Sequence, residues 1–484
     1  MKGDFTRFSY DPLRHFSRVL QQQGRVTLDA DSNEQTAILL HYLRTLTQDL
    51  LGSHARPSGQ FEVNLTGRSL MINPGRYYVD GILCENEEIC DYSKQWDFIP
   101  DADDPFLKAL GANDWSGTFG LYLDVWERHV SYIEDDYIRE KALGGPDTCT
   151  RAKVVWQVKA ISLQEGATDC DSITGPLIDV ASPLLNARLD PGAAPKDPCT
   201  LSPDARYRGA ENQLYRVEVH RSGAAGEATF KWSRDNGSVV TNWLQTVGND
   251  LVVRSARGFA AGNWVELLDD AAELQGRPGV LVLLTQVEGN RLTIDPTTVP
   301  GGASTQPSAQ ARHPRVRRWD QVANDATELE DDNAIKIVES TLAAPNWLVL
   351  EDGVQIQFMT TGATYHTGDY WMIPARVATG DIEWPPGGTA ADGAGTDTSR
   401  PPRGIRHHYA PLAVVALSND NESTVTMCPC IFDGIADCSE KARVTTKNQP
   451  APVGVAVRPA AAPLPVPAVA QPKAVRRPRR PAGG

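Results

Sequence analysis

A strand-like pattern opens the chain and leads into a helical one. Val26 and Leu28 alternate with polar residues, which is the period of a half-buried strand. Ser32 followed by Gln35 fits a capping box, in which two side chains bond backbone amides at a helix start. We therefore predict a strand that ends near Leu28 and a helix over about 33–51.

Four leucines on this predicted helix recur at spacings of four, three and four residues. They form a narrow apolar seam. A seam of this length is the core face of one packed helix in most proteins and the contact face for a partner in others. Because the seam is too thin to wrap a core, we predict that residues 1–52 form a docking strand–helix segment. The predicted assembly interface comprises Gln22, Gln23, Arg25, Leu39, Leu43, Leu46 and Leu50.

Residues 53–164 have the patterns of short strands and turns and predict a first β domain. An apolar run at 76–79 is followed by Asp80-Gly81 and then by apolar residues 82–83. Asp-Gly between two such runs is a strong signal for a tight β-hairpin, since both turn positions require positive φ.

A second β domain is predicted from residues 206–241 together with 311–440. Within it Tyr215, Val217 and Val219 alternate with charged residues. This period-2 alternation indicates a strand with one buried face and one face in water.

The partner of that strand, at 229–234, runs into Asn236-Gly237, which favours a type I′ hairpin turn. Neighbouring Arg234 and Asp235 could suggest catalysis, but they form a surface or domain-interface pair in most proteins. We therefore expect no hydrolytic activity from this turn.

The remaining stretches complete the predicted organisation. Residues 242–310 have strand patterns of a small inserted barrel or sandwich, and residues 165–205 are rich in Asp, Pro, Gly and Ala, as in a loop or boundary. Residues 441–484 are a Pro/Ala/Arg tail that we expect to be disordered. The predicted fold class is mainly β, with several small sandwich- or barrel-like domains.

Charge is distributed unevenly and limits the partners. The net charge is −14 over 484 residues, and the nine Lys and Arg residues beyond Glu440 have no acidic neighbours there. The body is therefore strongly acidic, which argues against nucleic-acid binding. No apolar run is long enough to span a membrane, and the N-terminus lacks the apolar segment of a signal peptide. We expect cytoplasmic synthesis, and release only by lysis or by an assembly.

No metal or cofactor site is expected from the sequence. The eight cysteines are scattered, so reduced thiols are the default in the cytosol. Cys428, Cys430 and Cys438 cluster, but the first spacing is tighter than in structural zinc sites. Asp29 opens a calcium-like run, yet Glu34 stands where the loop requires glycine.

Catalytic signatures are missing from the sequence as well. It has no phosphate-binding glycine loop, no nucleophile elbow and no HExxH pair. His407 and His408 are adjacent, and neighbours on a strand point to opposite faces, so they would not share a metal. We therefore expect a protein that is not an enzyme and has no catalytic residues.

Several strings resemble an uncharacterised bacterial family. The first is MKGDFTR at 1–7, continued by QQGRV at 22–26, LDAD at 28–31 and NEQ at 33–35. Further similar strings lie at 138–148, 211–219, 230–240, 347–354 and 368–376. Genes of this family lie in loci for phage-tail-like, extracellular contractile injection systems.

The resemblance implies a structural component of such a system, associated with its baseplate as a fibre, outer scaffold or adaptor. The implied partners are other baseplate or injection-system subunits, and fibre symmetry suggests a homo-oligomer such as a trimer. One alternative is a carbohydrate-binding or glycan-cleaving protein that uses exposed tryptophans and paired carboxylates. A second alternative is an injected cargo or effector.

Overall fold

The computed structural model describes residues 1–101, 103–112, 116–178, 181–192, 206–322, 328–341, 343–385, 398–418 and 423–433. The predicted disordered tail, 441–484, lies outside these residues. The described part is mainly β, as predicted, with an N-terminal helix. No helix in these ranges is both long enough and apolar enough to cross a membrane.

The described helices are α1 Asp29–Leu51, α2 Pro105–Gly111, α3 Asp171–Thr174 and α4 Asp270–Leu274. Short 3-10 turns cover Pro12–Arg14, Tyr92–Lys94, Asp136–Ile138, Lys141–Leu143, Gly175–Leu177 and Pro296–Thr298. The strands are β1 His54–Pro57, β2 Val63–Thr66, β3 Ser69–Ile72, β4 Gly75–Val79, β5 Ile82–Asn86, β6 Cys90–Asp91, β7 Gly117–Val130, β8 Arg151–Leu163, β9 Leu184–Leu189, β10 Gln213–Arg221, β11 Thr229–Ser233, β12 Val240–Val247, β13 Asp250–Val253, β14 Trp264–Leu268, β15 Val280–Glu288, β16 Arg291–Ile294, β17 Arg315–Trp319, β18 Ile335–Lys336, β19 Glu339–Ser340, β20 Leu348–Val349, β21 Val354–Met359, β22 Tyr370–Arg376, β23 Asp381–Ile382, β24 His408–Leu417, β25 Ser423–Met427 and β26 Cys430–Phe432.

A first apolar core is enclosed by sheets of order β26-β1-β4-β5, β2-β3-β6 and β25-β24-β7-β8. Its buried side chains include Phe61, Phe106 and Leu121. The predicted hairpin is confirmed: β4 pairs with β5, and Asp80 and Gly81 have φ of 46° and 75°. The turn residues adopt the backbone geometry that the dipeptide predicts.

The last described strands return to this first region. β24 pairs with β7 along the segment from His408 to Leu417, and β26 pairs in parallel with β1. The predicted second domain, 206–241 with 311–440, therefore needs correction at 408–432. β7 is largely buried on both faces, so its backbone needs partners at both edges, and β8 and β24 supply them.

A two-sheet sandwich forms the second region. The sheet β18-β11-β10-β22-β23 packs against β19-β21-β20 with β9 paired to β21. Phe358 of β21 lies 5.1 Å from Phe230 and 5.9 Å from Trp371, ring centre to ring centre, across the two sheets. β9 falls inside the stretch 165–205 that we predicted as loop or boundary. Its pairing with β21 makes it a strand despite its Asp/Pro-rich flanks.

A closed barrel of order β12-β13-β16-β15-β14-β17 forms the third region. Its core includes Leu251, Val265, Val282 and Leu292. The prediction of a small barrel or sandwich within 242–310 anticipates this region. The barrel nevertheless extends beyond that range at both ends, because β12 begins at Val240 and β17 follows the range at Arg315–Trp319.

Asn236-Gly237 has the predicted positive φ values, 53° and 62°. It does not close a hairpin, however. β11 belongs to the sandwich and β12 to the barrel, so the turn connects two regions. The turn chemistry was predictable, whereas the partner of the following strand depends on the tertiary fold.

The N-terminal segment differs from its prediction in two ways. No strand forms at 26–28, and α1 already begins at Asp29. The capping box does not form either, because the amide of Val19 donates to Gln35 Oε1 at 2.8 Å and Leu28 occupies the N-cap. A contact with a distant segment replaces the local cap.

One pair of cysteines is oxidised, contrary to the expectation of reduced thiols. Cys170 and Cys428 form a disulfide although they are 258 residues apart. The packing of α3 against β7 and β24 brings them together, with Ile173 buried beside them. Cys430 is a free, exposed thiol, and Cys438 lies outside the described residues.

Candidate functional site

The outer face of α1 is uncovered. Leu39, Leu43, Leu46 and Leu50 are 53%, 60%, 56% and 73% exposed, and Tyr42 beside them is 53% exposed. Their spacing places them along one side of the helix. Within the described part of the chain, this seam is therefore not the core face of a packed helix.

The polar members of the predicted interface lie in the segment that precedes α1. Gln22, Gln23 and Arg25 are exposed around a turn at Gly24, where the Arg25 amide donates to the Gln22 carbonyl. Their side chains make no hydrogen bond or ion pair with any described residue. The structure thus leaves them accessible and does not join them to the leucine seam.

The segment before α1 is tied along the helix by polar contacts. The Thr6 amide donates to Asp29 Oδ2 at 2.9 Å, and the Ser9 hydroxyl donates to Glu34. Partial burial would raise the pKa of the Asp29 carboxyl, but the Thr6 hydrogen bonds outweigh it and hold this pKa below its ordinary value. The carboxylate thus stays charged at the helix N-terminus, where the dipole favours it.

The inner side of α1 docks on the β4–β5 hairpin and on β7. Arg44 forms an ion pair with Glu127 at 2.9 Å, and Gln48 donates to Asp80 at 3.3 Å. Gly81 sits directly under the backbone carbonyl of Arg44, where a β-carbon would overlap it. One side of α1 is therefore fixed, while the leucine side is free.

A cavity of about 590 Å³ lies behind α1. Its wall comprises Met1, Lys2, His41, Arg44, Thr45, Gln48, Asp80, Ile82, Trp126, Glu127, Arg128, His129, Glu134, Arg216, Glu273, Arg317, Tyr370, Arg403, Gly404, Ile405, Arg406 and His408. The wall thus combines α1, the end of β7, the loop before β24 and the N-terminal residues.

Asn236 holds the N-terminal residues in this wall. It is fully buried, and its Nδ2 donates to the carbonyl oxygens of Met1 and Gly3 at 3.2 and 2.9 Å. Its Oδ1 accepts from Arg216 at 3.3 Å. This role is not visible in the sequence, where Asn236 only indicates a turn.

A buried network of charges lies at the inner end of the cavity. Glu218 pairs with Lys2 at 3.1 Å, with Arg216 at 2.6 Å and with Lys231 at 3.5 Å. Burial would raise the pKa of Glu218, but these three cations outweigh it and lower the pKa far below its ordinary value. Glu218 is therefore an anion that its partners stabilise.

The network continues into the barrel. Lys231 also pairs with Glu266, whose other carboxylate oxygen accepts from the indole of Trp319 at 2.9 Å. Burial opposes ionisation of Glu266, but Lys231 and His220 lower its pKa to about 2. We predicted a water-exposed polar face for β10, yet this face is buried, because ion pairs replace water around Arg216, Glu218 and His220.

Three acidic residues, two of which line the cavity, lie next to this network. Carboxylate oxygens of Glu134, Asp270 and Glu273 lie within 4.8 Å of one another, a spacing that could hold a cation. Two guanidinium groups already occupy that role: Arg128 and Arg315 contact Asp270 at 2.5 and 2.9 Å. The trio is therefore an ion-pair cluster that joins β7 to α4 and β17.

The two adjacent histidines bind different carboxylates. His407 Nδ1 lies 2.6 Å from Asp124, and His408 Nδ1 lies 2.8 Å from Asp80. Burial would raise the pKa of Asp124, but His407 and Lys159 outweigh it and lower this pKa. The expectation that the histidines point apart thus agrees with the geometry.

Arg234 and Asp235 lie at an interface between regions. They pair with different partners: Arg234 with Glu351 at 2.7 Å and Asp235 with Arg318 at 2.5 Å. Arg318 belongs to the barrel strand β17, and Glu351 lies next to the sandwich strand β20. Both contacts therefore join the connecting turn to its neighbours.

Comparison with known proteins gives a family and no activity. A model of DUF6519, described as a family of unknown function, matches residues 1–176 and 173–483. No curated protein and no solved structure matched the chain. Because the match extends over nearly the whole sequence, this chain belongs to DUF6519, a family of unknown function.

Proposed function

We propose that this protein is a structural component of a phage-tail-like contractile injection system. It would belong to the baseplate as a fibre, outer scaffold or adaptor, and its role would be structural rather than catalytic. The resemblance of the N-terminal strings, beginning with residues 1–7, supports the type of system. The uncovered leucine face of α1 supports the mode of attachment, and it is the observation on which the proposal rests.

The docking partner is a neighbouring subunit of the assembly. Fully burying a leucine contributes roughly 1.5–3 kcal/mol, and the four seam leucines retain more than half of their exposure. Their burial would contribute on the order of 4–7 kcal/mol in total. Because α1 is already folded and fixed on its inner side, little ordering of the helix opposes association.

A specific interface buries about 800 Å² on each partner, which is more than the seam alone offers. The segment packed along α1 adds exposed apolar side chains, Leu20 and Val26 among them. Homo-oligomerisation, for example as a trimer, would use the same surface.

The glycan alternative has weaker support. Of the tryptophans in the described residues, only Trp96 is largely exposed, at 79%. It borders a groove of about 440 Å³ together with Glu85, Glu87 and Glu88. Sugar-binding grooves stack their ligands on aromatic rings, and a single exposed indole is a small platform. We therefore favour assembly.

The test replaces Leu39, Leu43, Leu46 and Leu50 together by glutamine, which has nearly the helix propensity of leucine. We expect a cooperatively folded body that no longer sediments as an oligomer or binds injection particles. The matched control is Leu143→Gln with Leu244→Gln, at 69% and 56% exposure and away from α1. Unfolding of the seam variant, or unchanged assembly, would refute docking through α1.

Electron microscopy of purified particles distinguishes the remaining alternative. Density at the baseplate agrees with the structural role. Density in the tube lumen would instead identify the protein as cargo.

A further inference from the structure

The cavity behind α1 has the size of a small-molecule site. Its volume of about 590 Å³ lies within the usual range for ligand pockets of roughly 300–1,000 Å³. Trp126, Ile82 and Tyr370 supply apolar wall, and charged side chains gather at the inner end. The proposed docking face does not include this cavity, so the two inferences are independent.

Cations outnumber carboxylates at the inner end. Most of the basic groups there have an acidic partner: Arg44 pairs with Glu127, and Arg216 pairs with Glu218. Arg317 and Arg403 have no carboxylate within ion-pair distance among the described residues. Arg317 is buried and Arg403 is half-buried. A guanidinium removed from water without a counter-charge is costly, so these two groups favour an incoming anion.

Arg317 and Arg403 are also incompletely hydrogen-bonded. Arg317 is 6% exposed and donates to the Gly237 carbonyl, while its Nε has no partner in the described structure. The Arg403 guanidinium lies 5.4 Å from the centre of the Phe8 ring. The Arg403 side chain makes no hydrogen bond or ion pair with the described residues, so its guanidinium can donate to an anion in the cavity that it lines.

Burial is the main reason that several basic groups around the cavity have lowered pKa values, and nearby cations add to it. Three of these groups are Lys2, Arg317 and Arg403. Burial, followed by the Met1 amino group and Arg317, lowers the pKa of His129 to about 3. His129 is thus neutral at pH 7, and its buried Nε2 has no described partner.

We propose that the inner end of this cavity binds a small multivalent anion between Arg317, Arg403 and the Lys2–Arg216 pair. Phosphate and carboxylate groups share the necessary chemistry, because both accept two parallel hydrogen bonds from a guanidinium. The anion would complete the charge balance of the buried network. It would also join the loop before β24 to the barrel and the N-terminal residues.

The experiment titrates the full-length protein with pyrophosphate and, separately, with citrate by calorimetry at matched ionic strength. We expect saturable binding of at least one of these two anions. The anion that binds more tightly shows whether phosphate or carboxylate is the preferred group. Arg403→Met should weaken the affinity for the anion about tenfold or more, as expected for the loss of a charge-assisted hydrogen bond. The exposed, weakly paired Arg254 provides the control variant Arg254→Met, which should bind as the wild type does.

Without an anion, Arg403→Met should melt no lower than the wild type, because it removes an uncompensated charge. If circular dichroism shows this variant unfolded, Arg403→Gln takes its place with the same expected loss. Absence of saturable binding of both probes to the wild type would overturn the proposal. Equal weakening by Arg254→Met, or a large fall in the melting temperature of both Arg403 variants, would also overturn it.

Discussion

At the scale of single residues, Asn236 connects local chemistry with tertiary structure. Its φ of 53° is a conformation that asparagine tolerates better than most residues, which is why the turn could be predicted. Its side chain then bridges the carbonyls of Met1 and Gly3 and accepts from Arg216. One residue therefore closes the connection from sandwich to barrel and anchors the N-terminal segment.

We predict that Asn236→Gly lowers the free energy of unfolding by roughly 1–3 kcal/mol, because buried hydrogen-bonding groups lose their partner. Glycine keeps the positive φ, so this variant isolates the side-chain bonds. Asn236→Ala should cost about 1–2 kcal/mol more, since alanine is strained at positive φ. Urea denaturation measures both, and hydrogen exchange should show the first residues opening. Wild-type stability of Asn236→Gly would show that the bridge contributes nothing.

At the scale of elements, α1 is a helix with one attached side. Arg44 and Gln48 fix its inner side, and Gly81 allows the hairpin to approach the helix backbone. The leucine side lacks any such contact within the described residues. One side of α1 is therefore attached to the body and the other side is exposed, which is the geometry that docking requires.

Gly81→Ala should displace α1 and lower stability by about 1–3 kcal/mol, as overpacking does. Gly67→Ala is the matched control: Gly67 also has positive φ, in the β2–β3 turn, but no atom approaches its β-carbon position. The difference in stability between the two variants measures the contribution of the contact between the hairpin and α1. Thermal denaturation and exchange rates of the α1 amides measure it, and equal effects would mean that helix and hairpin do not support each other.

At the scale of the whole molecule, buried charges connect regions that have separate apolar cores. Arg128 of β7 reaches Asp270 of α4, Lys231 of β11 reaches Glu266 of β14, and Lys2 reaches Glu218. Removing one partner of such a pair is strongly destabilising, because the other charge stays buried. The relative placement of these regions is therefore sensitive to protonation.

We predict loss of stability on acidification in two steps. Burial and Lys231 lower the pKa of His220 from 6.5 to about 4, so between these values only the unfolded chain takes up this proton. Stability should therefore fall as the pH drops from 6.5 towards 4, because protonation favours the unfolded chain over this range. Glu266, lowered from 4.5 to about 2, adds a loss below pH 4.5.

Urea denaturation across this pH range tests the prediction. His220→Gln retains an acceptor for the Lys231 ammonium, 3.3 Å away, but cannot titrate. It should therefore flatten the upper step only. Equal stability at pH 6.5 and pH 4 would contradict the assignment.

The local features of this protein could be predicted from the sequence alone. Asp80-Gly81 specifies its hairpin because both positions need positive φ. The strand patterns of 242–310 specify a small β module, because alternation depends on neighbours in sequence, and they leave open whether it is a barrel or a sandwich. The leucine spacing likewise specifies a helix. These features follow from the backbone preferences of single residues and from the spacing of hydrophobic residues, both of which are local in sequence.

The long-range features of the fold could not be predicted, because they depend on which distant groups meet in the folded chain. The Gln35 side chain accepts from the Val19 amide instead of forming the capping box. Strand β24, near the end of the described chain, pairs with β7. Cys428 meets Cys170, and the polar face of β10 is buried because counter-charges arrive from the N-terminal residues and from β11. Sequence alternation reports which residues share a face, but only the assembled neighbours determine whether that face meets water or an ion pair.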